Sequence, residues 1–337
     1  MSAPEQSPPA LLEVHDLHVS FHVPAGRVRA VDGVTLQLVA GQTLAIVGES
    51  GCGKSTLARA ILGIEPVERG EIRFAGRVVP QRGPERRALY RELQLIFQDP
   101  DASLNPRLTV GQTVSEPILI HRPALEQRAR RLAAEVLLGR VGIDPALFDR
   151  YPHELSGGQR QRVSIARALS VEPRILILDE AVSALDVSIR GQILNLLVEL
   201  QQAEQLAYMF ITHDLSVVRH LAHRVAVMYL GQIIEEAGAD ALFARPEHPY
   251  TQALLAAVLR VEPDAPAPFA SVAGEPPSPL QPPPGCRFAS RCPHAFEPCS
   301  ASPPPAYPRE TGSVRCYLAD PARAPSSVQN FSVKRAP

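Results

Sequence analysis

Thr43-Leu44-Ala45-Ile46-Val47-Gly48-Glu49-Ser50-Gly51-Cys52-Gly53-Lys54-Ser55-Thr56 is the stretch from which the fold can be read. Its first five residues are apolar apart from Thr43, the pattern of a strand covered on both faces. The glycines then break the strand. From Lys54 onward, Leu57, Ala58, Ile61 and Leu62 recur at helical spacing. A buried strand, a glycine loop and a helix form the unit that opens a parallel α/β sheet. Gly48 to Ser55 also fits the pattern GxxxxGK followed by Ser or Thr. Residues without a Cβ let the backbone curl and aim its N–H groups inward, and the following helix N-terminus adds its own amides. The candidate nucleotide-binding residues are therefore Gly48, Ser50, Gly51, Cys52, Gly53, Lys54, Ser55 and Thr56. Lys54 is placed to reach the β- and γ-phosphates, and the Ser55 hydroxyl to hold Mg²⁺. The plainer reading is a glycine turn that caps a helix. Cys52 is a small loop residue without a redox role.

A second apolar strand, Arg174 to Leu178, ends in Asp179 and Glu180. In phosphoryl transfer a carboxylate at such a strand end holds Mg²⁺, which suits Asp179. The adjacent Glu180 can polarise an attacking water. Alone, the pair reads as two solvated acids at a helix start, where the helix dipole favours them. Around these motifs, residues 11–47 read as short strands and residues 107–170 as mainly helical. Gly191–Gln202 reads as an amphipathic helix, Tyr208–Thr212 and Val225–Tyr229 as strands, and Glu247–Val258 as a short helix.

The chain has 337 residues, 45% apolar and 20% charged, with a net charge of −1. That is enough apolar material for a full core, and the charge balance argues against nucleic acid held over a broad basic face. No run approaches the roughly 18 apolar residues of a membrane span. The start, MSAPEQSPPALLEV, lacks the basic and apolar regions of a secretory signal. A soluble, cytosolic chain is expected, with any membrane spanning left to other subunits. More than half of the 34 prolines lie after Glu262, and four of the five cysteines share that tail. Both shifts place a boundary near residues 240–265.

Leu155-Ser156-Gly157-Gly158-Gln159 resembles the signature of the ATP-binding-cassette ATPases. The likeness continues in family order: Gln98 in Leu95–Pro100 fits the Q-loop, Ser183–Asp186 the D-loop, and His213 in Phe210–Asp214 the switch histidine. The resemblance covers roughly residues 10–240, one cassette per chain. It implies an α/β P-loop NTPase core with an antiparallel β subdomain and an inserted α-helical subdomain at about 100–170. The domains expected are a disordered N-terminus at 1–10, the ATPase domain at 11–245, and a Pro/Cys-rich C-terminal extension at 246–337.

The roles follow from that resemblance. Gln98 would contact Mg²⁺ or water, and His213 the γ-phosphate, with Glu180 as catalytic base. Phe21 would stack on adenine, with a core aromatic as its rival reading and His22 as a weaker alternative. Ser156, Gly157, Gly158 and Gln159, opening a helix over Gln159–Ser170, would close over ATP held by a partner cassette; without the family they read as an ordinary capped helix. Ala181 departs from the family's usual Pro after the two acids, which bears on loop stiffness.

Finer likenesses narrow the family. The loop Gly48–Thr56, Phe97–Pro106, Ala184–Ser188, Met228–Glu236 and His248–Thr251 look like the oligopeptide/dipeptide permease ATPases, second ATPase subunit type. This implies a peripheral ATPase on the cytoplasmic face of the inner membrane. Its partners would be a homologous second ATPase, two transmembrane permeases and a substrate-binding protein, with Asp99–Val114 receiving a permease helix. Relatives also carry nickel, glutathione and antimicrobial peptides. The rival class is a soluble cassette ATPase, which would bring long coiled coils or two cassettes per chain; no sustained heptads separate Lys54 from Ser156.

Cys286, Cys292, Cys299 and Cys316 stand among prolines in a segment with few large apolar residues, one that cannot pack a core of its own. Disulfides suit a reducing compartment poorly. Zinc is chemically possible without its usual C-x₂₋₄-C pairs. A 4Fe–4S cluster takes four thiolates at varied spacing, and the family resemblance favours it. Unliganded thiols are the plain alternative.

Overall fold

The computed structural model describes residues 9–258 and 274–322. In chain order the elements are β1 (Ala10–Val23), β2 (Gly26–Val39), β3 (Thr43–Val47), α1 (Lys54–Leu62), β4 (Arg69–Phe74), β5 (Arg77–Val78), α2 (Pro84–Glu92) and β6 (Leu93–Ile96). There follow α3 (Pro100–Ser103), α4 (Val110–His121), α5 (Gln127–Arg140), α6 (Gly157–Leu169), β7 (Ile175–Asp179), α7 (Val187–Glu204), β8 (Ala207–Thr212) and α8 (Leu215–Leu221). The last are β9 (Arg224–Tyr229), β10 (Gln232–Gly238), α9 (Ala239–Ala244), α10 (Pro249–Val258), α11 (Glu297–Ala301), β11 (Tyr307–Arg309) and β12 (Gly312–Val314).

Two sheets carry the architecture. The larger runs β11-β12-β10-β9-β3-β8-β7-β6, with β9, β3, β8, β7 and β6 mutually parallel. The smaller, β2-β1-β4-β5, is antiparallel. Every residue of β7 is buried, and the strand shows why its sequence lacks alternation. Ile175 and Ile177 face a core shared with α1 and the small sheet, while Leu176 and Leu178 face the layer of α4 to α7. β8 divides likewise, Met209 and Ile211 to one side, Tyr208 and Phe210 to the other. With both faces covered, each position must be apolar.

The parallel strands β3, β6, β7 and β8 end next to one another, so the loops after them gather along one sheet edge. In open α/β sheets that edge is where ligands bind.

The structure changes several expectations. Residues 11–47 hold two 14-residue strands before β3 instead of short ones; register shifts along β1 break its alternation and hide its length. Of the N-terminus expected to be disordered, Ala10 already belongs to β1, and residues 1–8 lie outside the described residues. The signature helix starts at Gly157, two residues earlier than expected, because Ser156 caps it. The helices expected at 107–170 are α4, α5 and α6, which pack on one another beside β6 and β7.

The C-terminal segment solves its lack of core residues by borrowing. β12 pairs with β10 and so extends the main sheet, Glu235 opposite Val314 and Glu236 opposite Ser313. Phe288, 1% exposed, packs with Tyr229 and Tyr250 against α8 and α9. Residues 259–273 lie outside the described residues.

Candidate nucleotide site

Gly48 leaves β3 at φ 153° and Gly53 enters α1 at φ 111°. A Cβ at Gly48 would meet the Met228 carbonyl oxygen at 2.1 Å, and one at Gly53 the Ala30 carbonyl oxygen at the same distance. Both glycines are therefore required by the close approach of neighbouring backbone as well as by their dihedrals. No side chain caps the start of α1, which leaves its first-turn amides available to an anion. Lys54 is buried, and its ammonium donates to the carbonyl oxygens of Gly48 (2.9 Å) and Glu49 (3.0 Å) and to Cys52 Sγ (3.7 Å). Burial pushes the Cys52 thiol up, which keeps it protonated.

Ser55 and Asp179 meet across the sheet edge. Ser55 Oγ donates to Asp179 Oδ1 at 2.9 Å. Burial raises the Asp179 carboxyl, against the Ser55 hydrogen bond, which lowers it. A buried carboxylate touching a hydroxyl is a donor set that fits Mg²⁺.

Glu180 joins the other two candidate residues. Gln98 Nε2 donates to Glu180 Oε2 at 3.0 Å, and His213 Nδ1 lies 3.4 Å from Glu180 Oε1. The Glu180 backbone has φ 50°, unusual for a residue with a Cβ, and its N–H donates to the Ile211 carbonyl of β8 at 2.9 Å. That bond ties the acidic turn to the strand that leads to His213. The cavity beside these groups is about 300 Å³ and is walled by Val28, Arg29 and Ala30 of β2, the loop from Ser50 to Thr56, Gln98, Glu180, and Leu230, Gly231 and Pro279.

Two sets of expected residues lie elsewhere. Phe21 pairs with Val28 in the β1–β2 hairpin and packs, half-buried, against the core between the sheets; it does not line the cavity. Ser156 is exposed and forms a capping box: its Oγ accepts from Gln159 N–H (3.3 Å) and its own N–H donates to Gln159 Oε1 (2.9 Å). Gly157 and Gly158 approach Leu185 and Ile189, not the phosphate loop.

The four tail cysteines converge. Cys286, Cys292, Cys299 and Cys316 all line one small cavity, about 10 Å³, with His248 and Phe288. Burial drives the Cys286 thiol up to about 11 and the Cys316 thiol up to about 12. His248 is fully buried and held neutral, its pKa lowered to about 3 by desolvation; its Nδ1 accepts the Tyr250 N–H and its Nε2 has no partner. Among the described residues no group of three or more His, Cys, Asp or Glu stands in ready metal-binding geometry. Four thiols around one space suit a thiophilic metal by chemistry.

Several neighbours of the site had no signal in the sequence. Val28, Arg29 and Pro279 line the cavity with no motif to mark them, and Leu230, inside the family-like stretch Met228–Glu236, had no site role assigned. Arg291 and Tyr250 contact the phosphate loop from more than 200 residues away.

A glycine loop on a helix start, a carboxylate and hydroxyl pair, and a second carboxylate held by an amide and an imidazole define a P-loop ATPase cassette. The ABC transporter family model matches residues 31–183, and the model for the oligopeptide/dipeptide transporter C-terminal region matches residues 234–299. A probable peptide ABC transporter ATP-binding protein of Sinorhizobium fredii is 47% identical over 97% of this chain and 96% of its own. The dipeptide transport ATP-binding protein DppF of Escherichia coli is 47% identical over 92% of this chain and 95% of its own. Among solved structures, cbiO1 from Clostridium perfringens, part of the ABC transporter complex cbiONQ, is 32% identical with a TM-score of 0.63, covering 70% of this chain and 91% of its own. The chain belongs to the ATP-binding proteins of the oligopeptide/dipeptide ABC transporters. It is an ATPase subunit by that membership. Among the described residues no helix is long and apolar enough to cross a membrane.

Proposed function

We propose that this chain is the ATP-hydrolysing motor of an importer for di- or oligopeptides, seated on the cytoplasmic face of the cell membrane. One observation carries the catalytic reading: Gln98, Glu180 and His213, from three separate loops, meet beside the cavity that holds Ser55 and Lys54. Glu180 takes a proton from the attacking water, while Gln98 and His213 hold its carboxylate in line. Lys54 and the loop amides bind the phosphates. Ser55 and Asp179, with Gln98, would hold Mg²⁺, which supplies charge neutralisation on the transferring phosphoryl group when bound. Phe21 is the residue proposed to stack on adenine.

The exposed, self-capped signature at Ser156–Gln159 supports a second cassette. Each chain would present Ser156, Gly157, Gly158 and Gln159 to the ATP held by a homologous partner. ATP then favours the closed pair because it binds that state better, and hydrolysis releases it. Two permeases and a substrate-binding protein complete the assembly, with Asp99–Val114 as the groove for a permease helix. The peptide cargo follows the names of the relatives and the C-terminal family region.

Cys286, Cys292, Cys299 and Cys316 would hold a 4Fe–4S cluster, or zinc as the alternative, which would supply a cross-link ordering the proline-rich segment. Iron at about four per chain after anaerobic purification fits the cluster; stoichiometric zinc replaces it with a single ion, and freely alkylated thiols with neither metal remove both.

The test of the main reading is to purify the chain with its membrane subunits, reconstitute them, and measure ATP hydrolysis with the binding protein loaded with di- and tripeptides. Peptide-stimulated turnover is expected. Stimulation by nickel, glutathione or an antimicrobial peptide alone would change the cargo, and failure to associate with any membrane subunit would favour a soluble ATPase.

A further inference from the structure

We propose that the cysteine-bearing C-terminal segment clamps the phosphate loop, with Arg291 as the positioning residue; this rests on reading the cavity as the ATP site. Glu49 is the second residue of the loop. Arg291 grips its carboxylate with both arms of the guanidinium, Nη1 to Oε2 at 3.0 Å and Nη2 to Oε1 at 3.1 Å. The Arg291 side chain is 7% exposed and that of Glu49 31%, so the cation is buried while the carboxylate keeps part of its hydration, and the two-armed geometry gives the pair its strength. The same Nη1 donates to Tyr229 Oη at 3.2 Å, and the guanidinium lies near the Tyr229 and Phe288 rings, 5.9 Å from each centroid.

The backbone of Glu49 is held as well. Its N–H donates to Tyr250 Oη at 2.9 Å, which turns this amide away from the curl that faces the phosphates. Tyr250 is fully buried and packs against Tyr229 and Phe288. The far end of the loop has its own tie. Arg287 donates to the Leu230 carbonyl and to Asp32, Asp32 N–H donates to the Gly231 carbonyl (2.8 Å), and Gly231 N–H donates to the Cys52 carbonyl (2.8 Å). Arg287 and Arg291 flank a single turn that starts at Cys286 and ends at Cys292, closed by Ala289 N–H on the Cys286 carbonyl and Cys292 N–H on the Ala289 carbonyl. One short segment thus holds both ends of the loop.

The clamp has an electrostatic duty. Glu49 adjoins Ser50, which lines the cavity, so an unpaired carboxylate there would put a negative charge next to the loop and weaken its hold on phosphates. Arg291 cancels that charge and fixes the curl in the same contact. A purely structural ion pair would lower the melting temperature when broken, and neutralising Glu49 would restore it, with nucleotide affinity of the folded chain unmoved throughout. A positioning pair instead lowers nucleotide affinity in a way that neutralising Glu49 reverses.

The experiment is a fluorescent-ATP titration of the isolated full-length chain, with the melting temperature recorded for each variant. Arg291→Gln is expected to weaken ATP binding about tenfold, because the partly buried Glu49 carboxylate is left uncompensated next to the phosphate loop and the loop loses its tie. Adding Glu49→Gln to that variant is expected to bring affinity back to within about threefold of wild type, since the repelling charge is gone. Wild-type affinity in a folded Arg291→Gln chain, or no recovery in the double variant, overturns the clamp. If Arg291→Gln does not fold, Tyr250→Phe takes its place: about threefold weaker binding is expected from the lost hydrogen bond, and unchanged affinity overturns the clamp. Wild-type chain that binds ATP no better than Lys54→Ala would overturn the underlying reading of the cavity, a distinct failure.

Discussion

At the start of α1 the cap position is Gly53, at φ 111°, and no side chain accepts from the first turn. At the start of α6 the cap is Ser156, whose hydroxyl and backbone N–H exchange hydrogen bonds with Gln159. Both are glycine-bearing helix starts, and both suit an anion. Their surroundings differ. Near α1 stand Lys54, Asp179, Glu180 and Gln98, the parts of the candidate phosphate site within one chain. Nearest to Gly157 and Gly158 are the apolar side chains of Leu185 and Ile189 and the Arg160 guanidinium. A terminus that must bind within its own chain gives up its cap and relies on its ligand. In the pairing proposed above the α6 terminus would serve another chain, and it can stay stable by itself because its capping box supports the helix.

The strongest way to break this contrast is at the chemistry of the first site. On the role proposed for Glu180, Glu180→Gln keeps the shape and removes the base, so turnover of the assembled complex should fall by about 10²-fold or more while ATP binding is retained. Near-normal hydrolysis would remove Glu180 from its role, provided the equivalent residue of the partner subunit is mutated in parallel. Gly53→Ala should come next. The added methyl meets the Ala30 carbonyl at 2.1 Å, at a dihedral that disfavours any Cβ. A destabilisation of about 2 to 4 kcal/mol is expected, together with loss of ATP binding, read by thermal melting and titration. An unchanged melt would show that the loop can relax more than its packing allows. The smallest effect should be at Ser156→Ala, which removes only an exposed cap. About 1 kcal/mol of stability should be lost, a shift of a few degrees in melting. A much larger loss would mean that α6 depends on its cap for more than its own first turn.

Much of the first site was legible because its residues sit at the ends of strands that must be apolar on both faces. The runs at Thr43–Val47 and Ile175–Leu178 have no polar interruption, and each is followed directly by its functional residues. The cassette family was legible in residues that keep their chain order. The walls of the cavity were not. Arg29 lies on a strand whose bulges break its alternation, and Pro279 comes from a proline-rich tail that resembles a linker in composition. Arg291 and Glu49 are 242 residues apart, and no local pattern joins them; the pairing of β12 with β10, the burial of Phe288 and the Arg287 contacts to Leu230 and Asp32 bring that tail to the loop. Phe21 shows the opposite limit: the family resemblance proposes it for adenine, while its packing is that of a partly buried core residue.

The most direct test of the account is ATP binding by the isolated full-length chain, measured side by side for Lys54→Ala and Ser156→Arg. Lys54→Ala deletes the one ammonium held inside the loop, and its affinity should fall by about 10²-fold. Ser156→Arg adds bulk and charge at an exposed terminus outside the cavity, so its affinity should match wild type, with the loss appearing only as failed pairing and turnover in the assembled complex. Equal loss of binding in the two isolated variants would contradict the division of labour between α1 and α6.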